Sequence, residues 1–386
     1  MGNLNSEHRT LNTEHRTPNA ERQNMMTPQT SIETLIRKHS LEELVGQLFM
    51  VGFQGTRYNS DLTFLLKKIH VGGLILFKRN IQDPWQTAQL TRDVQEKALE
   101  ASSLPLFVAV DQEGGEVSRL GPPFTQWPGQ SVQALSENPE EAVRSFARTT
   151  AEELKLVGIN LNLAPVLDVN TRGADGLMAR RSYGADPFQV ARLGGVCISE
   201  LQQSGIMACA KHFPGIGATE LDSHQDLPIL LKDRPALEEM ELIPFREVIP
   251  IPPAAIMVTH VHYPALDPRW PAGLSGTVVG GLLRQELGYQ GVVLSDDLEM
   301  GAIGKHFEIE EAASLAFQAG VDGLLICQDP EKIERAYRYL LKGFKKGSLP
   351  ESLLKEALLR IFALKQNYLR RPFQHQVERI RKHFYQ

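Results

Sequence analysis

The sequence predicts a single-domain α/β fold, a (β/α)8 barrel with extra helices at its C-terminal end. Three observations predict it. Eight short apolar runs recur along the chain, longer amphipathic stretches separate them, and five successive runs end in titratable residues. Continuous apolar runs suit strands buried on both faces, as in a parallel sheet whose faces are covered by helices. Eight such units in series favour closure over a doubly wound open sheet, which usually stops at five or six strands.

The runs, in order, are LVGQLFMVGF (44–53), VGGLILF (71–77), PLFVAVD (105–111), INLNLAPVLD (159–168), GIMACAKHF (205–213), AAIMVTHV (254–261), GVVLSDD (291–297) and GVDGLLIC (320–327). Between them TAQLTRDVQEKAL, PEEAVRSFARTTAEELKLVG and DPFQVARLGGVCISELQQSG carry helix periodicity, and two of these end in Gly, a common helix stop. After the eighth run, EKIERAYRYLLKGF and PESLLKEALLRIFALKQ predict two further helices. The barrel domain is expected over residues 31–370, with a basic amphipathic tail over 371–386 that forms a terminal helix packed on the barrel.

Residues 1–30 are expected to be a disordered tail. They contain three copies of a seven-residue unit, LNSEHRT, LNTEHRT and PNAERQN, with at most one Leu each, too few for a coiled-coil seam. The tail has no apolar core of the kind a secretory signal needs. The start MGNLNS fits a myristoylation pattern too short to weigh against the rest of the chain, and Met25 or Met26 offers an alternative start.

Composition narrows the function classes. The net charge is −5 and 23% of residues are charged, which gives no basic surface for nucleic acid or an anionic membrane. No apolar run reaches the ~18 residues of a membrane helix. Three cysteines, Cys197, Cys209 and Cys327, cannot make a disulfide framework and read as buried thiols in a reducing compartment. The expected protein is a cytoplasmic monomer without nucleic-acid or membrane partners.

Barrel active sites lie at the C-terminal ends of the strands. There the runs deliver Asp111, Asp168, Lys211-His212, Thr259-His260 and Ser295-Asp296-Asp297. Asp296 is the sharpest candidate, because a carboxylate fixed at a strand end can attack a carbon and form a covalent intermediate. Asp297, one step on, suits a cap for the following segment. The loop after the fifth run, KHFPGIGATELDSHQDLP, places Asp222 two residues before His224. A carboxylate hydrogen-bonded to an imidazole fixes its tautomer and raises its basicity, so this pair reads as an acid/base dyad. Gly215 and Gly217 are expected to let the loop fold over the site.

One alternative is a metal site. His260 and His262 in THVHYP, with His212, His224 and an Asp, resemble the ligands of metal-dependent barrel hydrolases. In those enzymes the pair normally follows the first strand, whereas here it follows the sixth run. No metal and no other cofactor is expected.

Taken in order, GQLFMVGFQG, GGLILFKRNI, DQEGGEVSRL, LAPVLDVN, ARRSYG, KHFPGIGATELDSHQDLP and SDDLEM resemble the motifs of glycoside hydrolase family 3, in its β-N-acetylglucosaminidase branch, over about residues 35–345. The resemblance implies Asp296 as nucleophile, His224 as general acid/base and Asp222 as its orienting partner. It implies Asp111, Arg119, Arg181, Lys211 and His212 as sugar-binding residues. The implied reaction is release of terminal N-acetylglucosamine from peptidoglycan-derived muropeptides in cytoplasmic cell-wall recycling, with retained configuration. A β-glucosidase or a phosphorylase of the same family is the alternative, and a non-catalytic sugar-binding barrel would require Asp296 or His224 to be lost. The chain departs from the family pattern at Ile216, usually His, and at Ala218, often Asp, which bears on loop packing and on the group the loop covers.

Overall fold

Asp or Asn followed by Pro opens four of the long helices. Pro fixes a helical φ where its missing N–H is not needed, and the preceding side chain accepts from the free backbone N–H groups. Asp83 accepts from Gln86 N, Asn138 from Glu141 N, Asp186 from Phe188 N and Asp329 from Glu331 N. The computed structural model describes residues 1–2, 28–369 and 377–386. The seven-residue repeats at 4–24 lie outside the described residues.

Eight parallel strands close into a barrel. They are β1 (Phe49–Val51), β2 (Gly73–Leu76), β3 (Phe107–Val110), β4 (Leu161–Asn162), β5 (Met207–Phe213), β6 (Ala255–Val258), β7 (Val292–Asp297) and β8 (Gly323–Ile326). Each falls inside one of the eight apolar runs, and each pairs with its neighbours in chain order, β8 closing on β1. The long helices are α1 (Pro28–Lys38), α2 (Pro84–Ser102), α3 (Pro139–Leu156), α4 (Pro187–Gln203), α5 (Ile309–Ala319), α6 (Pro330–Lys345), α7 (Glu351–Tyr368) and α8 (Val377–Tyr385). Helix α1 begins within the stretch that the sequence assigned to the tail. Helix α8 buries Ile380 and sets Phe384 edge-on against Phe124, with ring centroids 4.8 Å apart.

The fourth run is long, but its strand is short. Ala164-Pro165 interrupts it, because Pro has no N–H to give the ladder. Beyond Asn162 the carbonyls of Ala164 and Pro165 still accept from Cys209 and Lys211 of β5, and Val166 bridges Lys211 outside the regular strand. Asp168 therefore sits on an extended connection beyond β4 and is fully buried.

The opposite end of the barrel is closed by α7. Lys365 is buried there with 3% exposure. Its ammonium donates to Gln47 Oε1 (2.7 Å) and the Gly72 carbonyl (2.9 Å) and lies 4.9 Å from the Phe107 ring centroid. Burial pulls its pKa down to about 7.

Candidate active site

A pocket of about 300 Å³ opens at the C-terminal ends of the strands, and all eight site residues expected from the sequence line it. Adjacent strand residues normally point to opposite faces. Here two pairs of neighbours, Lys211-His212 and Asp296-Asp297, both reach the pocket. The register explains this. Between Ala210 and Phe213, β5 spends one more residue than β6, and between Leu294 and Asp297, β7 spends one more than β8. An extra residue in a strand re-aims the side chains beside it.

The pocket floor is an ion-pair network. Lys211 Nζ donates to Asp111 Oδ1 (2.9 Å) and Glu113 Oε1 (2.7 Å). Arg181 grips Glu113 with two bonds of 2.8 Å, and Arg119 donates to Asp111 Oδ2 at 3.2 Å. The Lys211 and Glu113 side chains are 3% and 1% exposed, so neither charge is solvated and each depends on its partners. Burial pushes the Asp111 carboxyl up, but the Lys211 and Arg119 charges outweigh it and hold the group at about 2. Burial acts on Glu113 in the same way, and Lys211 and Arg181 bring it below its ordinary value. The Lys211 ammonium is held above its ordinary value despite burial, by Asp111 and Glu113.

Asp168 organises the next layer. Its Oδ2 accepts from His212 Nδ1 (2.7 Å), and its Oδ1 from the backbone N–H groups of His212 (3.3 Å) and Ile216 (2.8 Å). The ring bond fixes His212 with Nε2 as its remaining nitrogen. Ile216, the departure from the family pattern, is anchored through its backbone while its side chain lines the pocket.

The two loop glycines serve close packing. A Cβ on Gly217 would lie 1.8 Å from the Val169 carbonyl oxygen, and one on Gly215, whose φ is 129°, 2.8 Å from Glu241 Cβ. Beyond them Asp222 Oδ1 accepts from His224 Nδ1 at 2.8 Å and from the His224 backbone N–H at 2.9 Å. Burial opposes ionisation of Asp222, but these two donors carry its pKa below the ordinary value. The His224 side chain is 72% exposed, with its second nitrogen uncommitted to Asp222. Asp296, at the end of β7, accepts the Asp297 N–H at 2.9 Å. Asp297 Oδ1 accepts the Glu299 N–H in the turn after β7, and the short helix that follows takes Met300, not Asp297, as its N-cap. Burial raises the Asp297 carboxyl to about 7, helped by the Glu299 and Asp296 charges.

The geometry gives the metal alternative no support. His260 Nε2 donates to the Asp297 carbonyl (3.1 Å) and His262 Nε2 to the Asp267 carbonyl (3.0 Å), which leaves one ring nitrogen on each. Among the described residues no group of three or more His, Cys, Asp or Glu has metal-binding geometry. One site residue was missed from sequence, and the role of another was not foreseen. Glu113 bridges Lys211 and Arg181, and its signal was the D-x-E spacing from Asp111. Asp168 was noted as the end of a run, but its partnership with His212 lies 44 residues away in sequence.

Comparison with known proteins agrees with this geometry. Residues 40–364 match the model of the glycosyl hydrolase family 3 N terminal domain. A β-hexosaminidase of Alkalilimnicola ehrlichii is 39% identical over 302 residues, covering 77% of this chain and 85% of that protein. A β-hexosaminidase of Nitrosomonas eutropha is 37% identical, covering 74% and 82%. Among solved structures, a glycoside hydrolase family 3 β-N-acetylglucosaminidase from Paenibacillus sp. superposes with a TM-score of 0.84 at 40% identity. The match covers 86% of this chain and only 63% of that longer one. A β-N-acetylhexosaminidase from Beutenbergia cavernae gives a TM-score of 0.78 at 29% identity, covering 85% and 99%. The chain belongs to glycosyl hydrolase family 3.

Proposed function

We propose that the chain is a retaining, exo-acting β-N-acetylhexosaminidase that removes terminal β-linked N-acetylglucosamine from peptidoglycan-derived muropeptides. The observation that carries this reading is that a strand-end carboxylate, Asp296, and a carboxylate–imidazole dyad, Asp222–His224, line one pocket. That pocket is floored by charged hydrogen-bonding groups and has room for one sugar ring. The names of the relatives support the N-acetyl sugar.

In this mechanism Asp111, Arg119, Arg181, Lys211 and His212 hold the sugar by its hydroxyls. Asp296 attacks the anomeric carbon through an oxocarbenium-like state while His224 gives its proton to the departing oxygen. The aglycone leaves as an alcohol and the sugar stays esterified to Asp296. Water then attacks the same carbon, His224 takes its proton, and Asp296 is released with retained configuration at the sugar. Asp222, ionised and bonded to Nδ1, orients the ring and stabilises the imidazolium after proton return. The pair departs from the two carboxylates common in retaining glycosidases. No step calls for a metal or a cofactor.

We place the reaction in the cytoplasm, in cell-wall recycling, and assign the protein as a monomer acting on carbohydrate alone. No helix among the described residues is long and apolar enough to cross a membrane. The test is release of 4-nitrophenol from its β-N-acetylglucosaminide and from its β-glucoside, with and without phosphate, by wild type and Asp296→Asn. Turnover of the N-acetyl substrate in phosphate-free buffer, lost in the variant, is expected. Turnover of the glucoside alone, or dependence on phosphate, would overturn the specificity or the hydrolytic step.

A further inference from the structure

The segments that follow the two catalytic groups meet beside the pocket. Two residues past His224, Asp226 turns its carboxylate toward the segment after β7. Its Oδ1 lies 2.7 Å from His306 Nε2 and its Oδ2 3.4 Å from Lys305 Nζ. The chain between is in contact as well. The Ala302 N–H donates to the Ser223 carbonyl at 2.9 Å. Gly301 approaches the loop so closely that a Cβ there would lie 2.6 Å from the carbonyl oxygens of both His224 and Gln225. The strand that ends in Asp296 thus continues into the surface on which the acid/base loop rests.

Exposed ion pairs alone often contribute little. Three features give this one more leverage. Asp226 is two residues from His224, so a change at one moves the other with a short lever arm. The backbone bond and the glycine contact act on Ser223 and His224 themselves. The Asp226 carboxyl is held at about 2 by the His306 ring, the Leu227 N–H and Lys305, so it is ionised throughout the working range. On the loop's other side Glu220 pairs with Arg172 at 2.8 Å. The imidazole of His224 extends into solvent with Asp222 as its anchor, so the path of the loop backbone decides where Nε2 sits.

We propose that Asp226, clasped by His306 and Lys305, is a positioning residue that fixes the placement of His224 relative to Asp296. The inference rests on the assignment of His224 as acid/base. Loss of the clasp affects the step in which the leaving oxygen is protonated. Its signature is therefore dependence on the leaving group. An alkyl alcohol needs the proton, whereas 4-nitrophenolate leaves largely without it.

The experiment measures kcat/KM, which reports the first bond cleavage, for the 4-nitrophenyl and methyl β-N-acetylglucosaminides. Asp226→Ala is expected to lower the methyl value about fivefold, the upper range for an exposed pair, and the 4-nitrophenyl value less than about twofold. Gly301→Ala, which forces the loop off its seat, gives the same selectivity with a larger loss. Asp226→Lys combined with His306→Asp, which reverses the pair, recovers at least half of the loss seen with Asp226→Lys alone. Equal losses on the two substrates, no loss on the methyl glycoside, or failure of the reversed pair to recover would overturn the clasp. If the wild type cleaves neither glycoside, the proposed hexosaminidase activity itself falls, and the clasp falls with it.

Discussion

Glu113→Gln tests the pocket floor with the smallest possible change in shape. The carboxylate is 1% exposed and takes one bond from Lys211 and two from Arg181, all of 2.7–2.8 Å. Glutamine keeps one acceptor and adds an NH2 that must face an ammonium or a guanidinium. Three cations, Lys211, Arg119 and Arg181, are then left against Asp111 and the more distant Asp168. Removing one partner of a buried ion pair typically costs about 3–5 kcal/mol. For 386 residues the unfolding entropy near the midpoint is about 0.8 kcal/mol/K, so the melting temperature should fall by about 4–6 °C. An amide oxygen at the Oε1 position keeps the Lys211 bond and one Arg181 bond, so Arg181 loses one of its two anchors, and a displacement of about 1 Å at a group proposed to hold the substrate can lower the rate about 100-fold. Calorimetry and kcat/KM on the 4-nitrophenyl β-N-acetylglucosaminide give both readings. A variant melting within about 1 °C of wild type with unchanged kcat/KM would refute the reasoning, since Glu113 would then neither brace the cations nor place them.

Three further expectations follow from other parts of the molecule. Asp222→Ala removes the acceptor that orients His224, and kcat on the methyl glycoside should fall by about 100-fold or more, with the melting temperature unchanged. Gly217→Ala puts a Cβ 1.8 Å from the Val169 carbonyl oxygen, which only a backbone shift relieves, so both activity and melting temperature should fall. Lys365 has a folded pKa of about 7 against an ordinary 10.5, so between these values the unfolded chain binds the extra proton and stability rises with pH. From pH 7 to 9 this amounts to about 2 kcal/mol, to be read as a stability slope by denaturant titration at several pH values. Lys365→Met should lose that slope, and a variant with the wild-type slope would show that another group causes it.

Much of this was legible in the sequence. A parallel barrel buries both faces of every strand, so its strands stand out as apolar runs, and each of the eight contains one. The polar residues that end them could be read as a rim because barrel chemistry gathers there. Hidden were features that depend on register or on distant pairing. One extra residue in β5 and one in β7 bring neighbouring side chains to the same pocket, and no residue type announces this. The shortness of β4 had a visible cause in Pro165, outweighed by the apolar run around it. Glu113 was given no role because its partners, Lys211 and Arg181, lie far along the chain. The contact of Asp226 with His306 spans 80 residues and belongs to no local pattern.

The three bonds that Asp168 accepts divide the catalytic loop in a way that matters for redesign. Residues up to Gly217 are tied to the buried carboxylate or pressed against the Val169 backbone, and they also bear Lys211 and His212. Residues 218–226 carry the dyad and the outer contacts. On the roles proposed above, the loop is two modules in series, a rooted one that would recognise the sugar and an outer one that would handle the proton. A graft from a relative that begins after Gly217 should transplant leaving-group preference while keeping the host's choice of sugar. One that begins before His212 would exchange both at once.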